Sequence, residues 1–127
     1  MPYALALALT LLVEVPAYTV ALTRAGGLRA SRAAVAAVLV NLATHPLLWH
    51  SLRPYSTGPA AAYWTAFGLG EACVCLVEGA LLTLLTGLSP RTALPWAASA
   101  TANAASMLAG LLPGLLPGLL PGVLLGR

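Results

Sequence analysis

Four apolar runs, each long enough to cross a lipid bilayer as a helix, fill most of this chain. They cover about residues 2–23, 33–52, 61–86 and 92–112, and short segments rich in Arg, Gly, Ser and Pro separate them. A transmembrane helix needs about 20 mostly apolar residues. Only 7% of the side chains are charged, against about 25% in an ordinary soluble domain. The sequence therefore predicts an all-α, polytopic membrane protein, with an up-down bundle of four transmembrane helices in residues 1–112.

Residues 113–127 differ from the four runs because they repeat Leu-Leu-Pro-Gly. Each proline lacks a backbone N–H and leaves the carbonyl four residues earlier without its helical partner. In lipid, every backbone polar group needs a partner. The sequence therefore predicts that this tail is irregular or lies at the membrane interface.

All basic side chains are arginines, and they lie at or beyond the ends of the apolar runs. The positions are Arg24, Arg29, Arg32 and Arg91 on one side of the predicted bundle and Arg53 and Arg127 on the other. Cytoplasmic loops carry the excess of Arg and Lys, which predicts a multi-pass protein of the cell membrane with both termini outside. High alanine content and basicity from arginine alone favour a bacterial inner membrane. The lipid bilayer is the expected partner. A nucleic-acid partner is not expected, because the arginines do not cluster on a polar face.

The acidic side chains follow the opposite rule, since all of them lie within the predicted spans. They are Glu14, Glu71 and Glu78. A charged residue at the bilayer centre costs about 2.5–3.5 kcal/mol even on the mild insertion scale, and no arginine is available at matching depth. Each glutamate must therefore be protonated, contact His45 or backbone donors, meet water, or bind a cation from outside the chain.

Helix geometry predicts that these acids meet other polar side chains in one cavity. A rise of about 1.5 Å per residue places five polar side chains from the four spans in one layer near the midplane. They are Glu14, Asn41, His45, Glu71 and Asn103. Glu78 shares the face of Glu71 and lies roughly 10 Å nearer the cytoplasm. The predicted cavity residues are Glu14, Asn41, Thr44, His45, Glu71, Glu78 and Asn103. Asn and Ser at helical spacing also occur as simple interhelical hydrogen-bonding groups.

Three classes of function follow from such a cavity. The first is an integral membrane protein that binds or transports a proton, a cation or a small solute, with Glu14, His45 and Glu71 as candidate metal ligands. The second is a structural or scaffold subunit of a membrane complex. The third is an intramembrane enzyme, with or without a metal, in which one glutamate serves as general base and His45 as its partner or as a metal ligand. The sequence contains no phosphate-binding loop, nucleophile elbow or zinc-protease motif. No catalytic residue is therefore assigned, and a bound cation is the only cofactor considered.

Span four also carries small residues at a spacing of four. They are Ala98, Ala102, Ser106 and Gly110. Small residues at this spacing let two helix backbones approach closely in a membrane. This face therefore predicts close packing, either within the bundle or against a second copy or another membrane protein.

The order of these polar residues resembles a pattern in small bacterial four-helix integral membrane proteins that are uncharacterised. The shared features are Glu14 before a proline, the Asn-x-x-Thr-His-Pro segment that starts at Asn41, the pair Glu71 and Glu78, and the Asn-x-x-Ser segment that starts at Asn103. The resemblance covers about residues 14–110 and leaves out the tail. It implies the same fold and the same polar positions, and it carries no activity to this chain.

Overall fold

The structure, a computed structural model, describes residues 3–119, with side chains for residues 3–111. These residues form helices and no strands: α1 (Tyr3–Arg24), α2 (Ala30–Leu52), α3 (Ala60–Thr86) and α4 (Leu94–Leu119), with a short 3-10 turn (Arg53–Tyr55) after α2. The prediction of an all-α fold is confirmed.

Three of the four helices are long and apolar enough to cross a membrane. They are Tyr3–Arg24, Ala30–Tyr55 with the short turn included, and Ala60–Thr86. These helices begin and end within three residues of the predicted spans. The membrane and transmembrane character predicted from the sequence therefore fits three helices by length and composition.

The fourth helix begins within two residues of its predicted span but ends later than predicted. It begins at Leu94 rather than at residue 92, and it continues to Leu119 instead of ending near residue 112. The first part of the predicted irregular tail, residues 113–119, is therefore helical. The remainder of that tail, residues 120–127, lies outside the described residues.

The helices form a bundle in which each one contacts two others. Within the described residues α1 contacts α2 and α4, and α3 also contacts α2 and α4. The N-terminal halves of α1 and α3 lie beside the C-terminal halves of α2 and α4. Consecutive helices therefore run in opposite directions, as an up-down bundle requires.

Arginine and glycine shape the connections at one end of the bundle. Gly87 ends α3 with a φ of +74°, a left-handed conformation that glycine adopts without steric cost. The Arg32 guanidinium donates a 3.0 Å hydrogen bond from Nη2 to the carbonyl oxygen of Thr86 in the last turn of α3. A cation at this position interacts favourably with the C-terminal end of the helix dipole. The contact thus ties the start of α2 to the end of α3.

The bundle divides into two halves of different character. We call residues 15–24, 30–40, 79–86 and 94–102 the packed half, and residues 3–14, 41–52, 60–78 and 103–111 the cavity half. Among the described residues, every fully buried apolar side chain except Ala6 lies in the packed half. The core there consists of Tyr18, Leu22, Ala33, Ala36, Ala37, Val40, Leu82, Ala98 and Ala102. Ala98 and Ala102 of the small-residue face thus pack within the chain.

Candidate functional site

The cavity half encloses a polar cavity of about 240 Å³ between the four helices. All seven residues predicted for it lie on its wall: Glu14, Asn41, Thr44, His45, Glu71, Glu78 and Asn103. The cavity starts at Glu78 and Asn103 in the middle of the bundle and reaches Leu52 and Tyr63 near the ends of α2 and α3. The packed half lies beneath its floor, so the cavity extends toward one end of the bundle only.

Glu78 forms the floor of the cavity and connects all four helices through one carboxylate. Tyr18 of α1 donates its hydroxyl to Oε2 at 2.5 Å, and Asn103 of α4 donates Nδ2 to the same oxygen at 2.5 Å. Thr44 of α2 lies with its Oγ1 2.6 Å from Oε1. Glu78 is 1% exposed, and both of its oxygens are hydrogen-bonded. Its surroundings are those of a structural brace whose bonding is complete.

Glu14 lies on α1 one turn from Tyr18, and its hydrogen bonding is incomplete. The Ser106 hydroxyl of α4 donates to Oε1. The other oxygen, Oε2, is buried and has no hydrogen-bond partner among the described residues. Glu14 as a whole is 1% exposed. A buried polar atom without a partner costs about 1–3 kcal/mol, so Glu14 is a place where an additional donor would stabilise the protein.

Asn41 and His45 add two more incomplete groups, one turn apart on the same face of α2. The Asn41 amide donates Nδ2 to the carbonyl oxygen of Ala37 at 3.0 Å. Because that carbonyl accepts only, this bond fixes the orientation of the amide and leaves Oδ1 on the other side. Asn41 Oδ1 and His45 Nδ1 are both buried without a partner in the part of the chain that the structure describes.

Glu71 lies two helical turns from Glu78 on α3, toward the open end of the cavity, and is partly buried. The same helix carries three aromatic rings beyond it. Tyr63 stacks on Phe67 with 6.2 Å between ring centroids, and Trp64 meets Phe67 edge-on at 5.7 Å. On the facing helices, Tyr3 lies edge-on to Trp49 at 5.6 Å. The polar groups are therefore concentrated in the inner part of the cavity, and aromatic rings line its outer part.

The candidate metal ligands do not assemble into a metal centre. Within the described residues no group of three or more His, Cys, Asp or Glu side chains is arranged to hold a metal ion. Glu14, His45 and Glu71 line one cavity, but they are not gathered around one point. A metal site of these three ligands remains a prediction that this arrangement does not favour.

Sequence reasoning overlooked several residues of the site. Tyr18 lies one turn from Glu14 on α1, and its hydroxyl bonds to Glu78 across the bundle. Ser106 belongs to the small-residue face and to the Asn-x-x-Ser segment, but neither pattern predicts its bond to Glu14. The depth arithmetic also placed Asn103 level with Glu71, whereas Asn103 bonds directly to Glu78. Glu71 and Glu78 are about two turns apart, so the depth of Asn103 counted from an assumed span end differs from its observed level by about 10 Å.

No family model, no curated protein and no solved structure matches the chain. The resemblance to small bacterial four-helix membrane proteins therefore stays a prediction.

Proposed function

We propose that this chain is a four-span membrane protein whose polar cavity binds a small ligand that carries positive charge or hydrogen-bond donors. Three helices have the length and composition of membrane spans. The fourth contacts α1 and α3 and supplies Asn103 and Ser106 to the same site. A helix that packs against two of the three spans along the bundle shares their environment, which supports α4 as the fourth span.

One observation carries the proposed binding function: the cavity wall carries buried polar atoms that have no hydrogen-bond partner among the described residues. These atoms are Glu14 Oε2, Asn41 Oδ1 and His45 Nδ1. The lining also includes three carboxylates and, among the described residues, no arginine or lysine. A ligand with N–H or O–H groups completes this bonding, and a positive charge on it compensates the carboxylates.

The closed packed half supports binding from one side rather than passage through the bundle. Tyr18, Leu22, Leu82 and Val40 are fully buried directly beneath the cavity floor. A transported solute would have to displace this core. We therefore propose that the structure represents a state in which the cavity binds its ligand from one side. Transport through the bundle would require a second conformation.

A scaffold role is the second candidate, and the Glu78 network favours it. A single carboxylate that joins four helices fixes their register, which is what a packing subunit requires. This role leaves Glu14 Oε2 and Asn41 Oδ1 unexplained, because neither takes part in the network. A binding protein accounts for both the Glu78 network and the unpartnered atoms, whereas a scaffold role accounts for the network alone.

The orientation follows from the arginines. We propose that the packed half faces the cytoplasm of a bacterial cell and that the cavity opens to the outside, since Arg24, Arg29, Arg32 and Arg91 flank the packed half. Single cysteines in a background lacking Cys73 and Cys75 test this. An impermeant thiol reagent added to intact cells should label Ser56→Cys and leave Ser89→Cys unlabelled. The reverse pattern would invert the proposed orientation.

Thermal unfolding of the purified protein in detergent tests the binding function. The probes are protons, Na⁺, K⁺, Mg²⁺, Zn²⁺, ammonium and small amines, each titrated to saturation. A ligand at 100 times its Kd stabilises the folded state by about 2.7 kcal/mol. Glu14→Gln keeps the size of the side chain and removes the charge, so it should abolish the stabilisation. Thr83→Ala is the matched control, because the exposed Thr83 hydroxyl bonds only to its own helix. Equal stabilisation of wild type and Glu14→Gln, or none with any probe, would contradict the proposal.

A further inference from the structure

The unpartnered atoms of the cavity specify the head group of its ligand. Glu14 Oε2 is an acceptor, and Asn41 Oδ1 must be one because its Nδ2 is engaged by Ala37. His45 Nδ1 lies one turn further toward the open end. Acceptors of this kind need a ligand with several N–H donors at one point. A primary ammonium group has three such donors and the positive charge that the carboxylates lack.

The arrangement of ligand atoms argues against a divalent metal ion. Such an ion requires several oxygen or nitrogen ligands around one point, and the described residues contain no group of three acidic, histidine or cysteine side chains so arranged.

The outer part of the cavity specifies the body of the ligand. Tyr63, Trp64 and Phe67 form a cluster of rings on α3, with centroids between 5.4 and 6.2 Å apart. Trp49 faces the same cavity from α2. Aromatic faces attract both cations and apolar groups. The part of the ligand that contacts these rings is therefore expected to be apolar, because an apolar group displaces water from the ring faces.

From these observations we infer that the cavity binds a small primary amine with an aromatic or compact aliphatic body. This identification of the ligand rests on the proposed binding function. The ammonium group donates to Glu14 Oε2 and Asn41 Oδ1, and the body lies toward Phe67 and Trp64. The cavity of about 240 Å³ is smaller than the 300–1,000 Å³ typical of drug-sized ligands. It suits a molecule of the size of benzylamine.

Four probes of related shape test the inference on the full chain in lipid nanodiscs, with affinity measured by calorimetry. Benzylamine has both parts of the ligand, methylammonium lacks the body, benzyl alcohol lacks the charge, and benzyltrimethylammonium lacks the N–H donors. Benzylamine should bind at least tenfold more tightly than each of the other three. Glu14→Gln should weaken benzylamine at least tenfold, and Thr83→Ala should leave its affinity unchanged.

A second variant keeps the test decisive if Glu14→Gln does not fold. Phe67→Leu keeps an apolar side chain on the cavity wall and removes the ring, so it should weaken benzylamine by more than it weakens methylammonium. Binding of an inorganic cation or of methylammonium as tight as that of benzylamine, and dependent on Glu14, would overturn the inference and leave the binding function intact. Absence of Glu14-dependent or Phe67-dependent binding by any probe would overturn both.

Discussion

The packed half and the cavity half are built from the same four helices, yet one is filled and the other is open. In the packed half, alanines from α2 and α4 form one buried apolar cluster with Leu22 and Leu82. In the cavity half, α3 buries no residue fully before Glu78, and the inner surfaces carry carboxylates, amides and rings. Small apolar residues allow close helix packing, whereas polar groups that need partners hold the helices apart.

The three glutamates show how this difference arises at single residues. Glu78 lies at the boundary between the two halves, where side chains of the three other helices hydrogen-bond to its carboxylate. Its role is therefore structural. Glu14 has a donor for one oxygen only. Glu71 lies further out, beside the aromatic rings. A buried carboxylate therefore stabilises this bundle where its bonds are complete and offers a binding site where they are not.

Removal of the Glu78 carboxylate should have the largest effect, because it disconnects the two halves. Glu78→Ala leaves the Tyr18 hydroxyl without its acceptor and creates a void, which should lower the free energy of unfolding by about 3 kcal/mol. Glu78→Gln is the matched control. Its amide oxygen can accept from Tyr18 and Asn103, and its amide nitrogen can donate to Thr44, whose hydroxyl then donates to Val40 at 3.0 Å.

Chemical unfolding of the purified protein measures both Glu78 variants. We expect Glu78→Gln to unfold close to wild type. An equal loss in both variants would show that the charge of Glu78, rather than its hydrogen bonding, is what the bundle requires.

Overpacking the packed half should have the next largest effect. A Cβ atom at Gly79 would lie 2.5 Å from Cε3 of Trp96, so Gly79→Ala forces two helices apart and should cost about 2 kcal/mol. Gly68 is the control on the same helix, since a Cβ atom there meets nothing within 4 Å. Gly68→Ala should cause no loss of stability. Similar melting temperatures for the two variants would contradict the close contact described for the packed half.

Replacement of Glu71 should change stability in the opposite direction. Glu71→Leu removes a carboxylate from the cavity and adds apolar volume, so it should raise the free energy of unfolding by about 1 kcal/mol while it weakens ligand binding. Thermal unfolding and benzylamine calorimetry on the same preparation measure the two effects. A destabilised Glu71→Leu protein would mean that Glu71, like Glu78, acts as a structural brace.

Much of the fold is predictable from the sequence because apolar length alone defines the helices. The bounds of α1, α2 and α3 follow from runs interrupted by Arg, Gly and Pro. The end of α4 does not follow, because the rule that proline breaks helices is a tendency and this helix continues through its prolines. The helix reaches Leu119 although the sequence predicts a break near residue 112.

The residues of the site are also predictable, whereas their separate roles are not. Ionisable residues at membrane depth stand out in any sequence, and all seven predicted residues line one cavity. Which donor reaches which carboxylate depends on helix rotation and on shifts of a single turn. Tyr18 and Asn103 meet at Glu78 for this reason, and neither spacing nor composition contains that information.

The smallest effect should come from the rim of the cavity and should separate affinity from stability. Trp64 is 53% exposed, so Trp64→Ala should leave the free energy of unfolding unchanged. Loss of one exposed ring that contacts the apolar body of the ligand removes about 0.5 kcal/mol, which should weaken benzylamine about twofold. Trp96→Phe is the counterpart in the packed half, because it keeps an aromatic ring but removes the five-membered ring of the indole with the N–H that donates to the Pro90 carbonyl at 2.9 Å. That variant should lose some stability and keep its affinity. If Trp96→Phe lowers the affinity and Trp64→Ala does not, the ligand does not enter past the aromatic rings, and the division of the bundle into a binding half and a packed half fails.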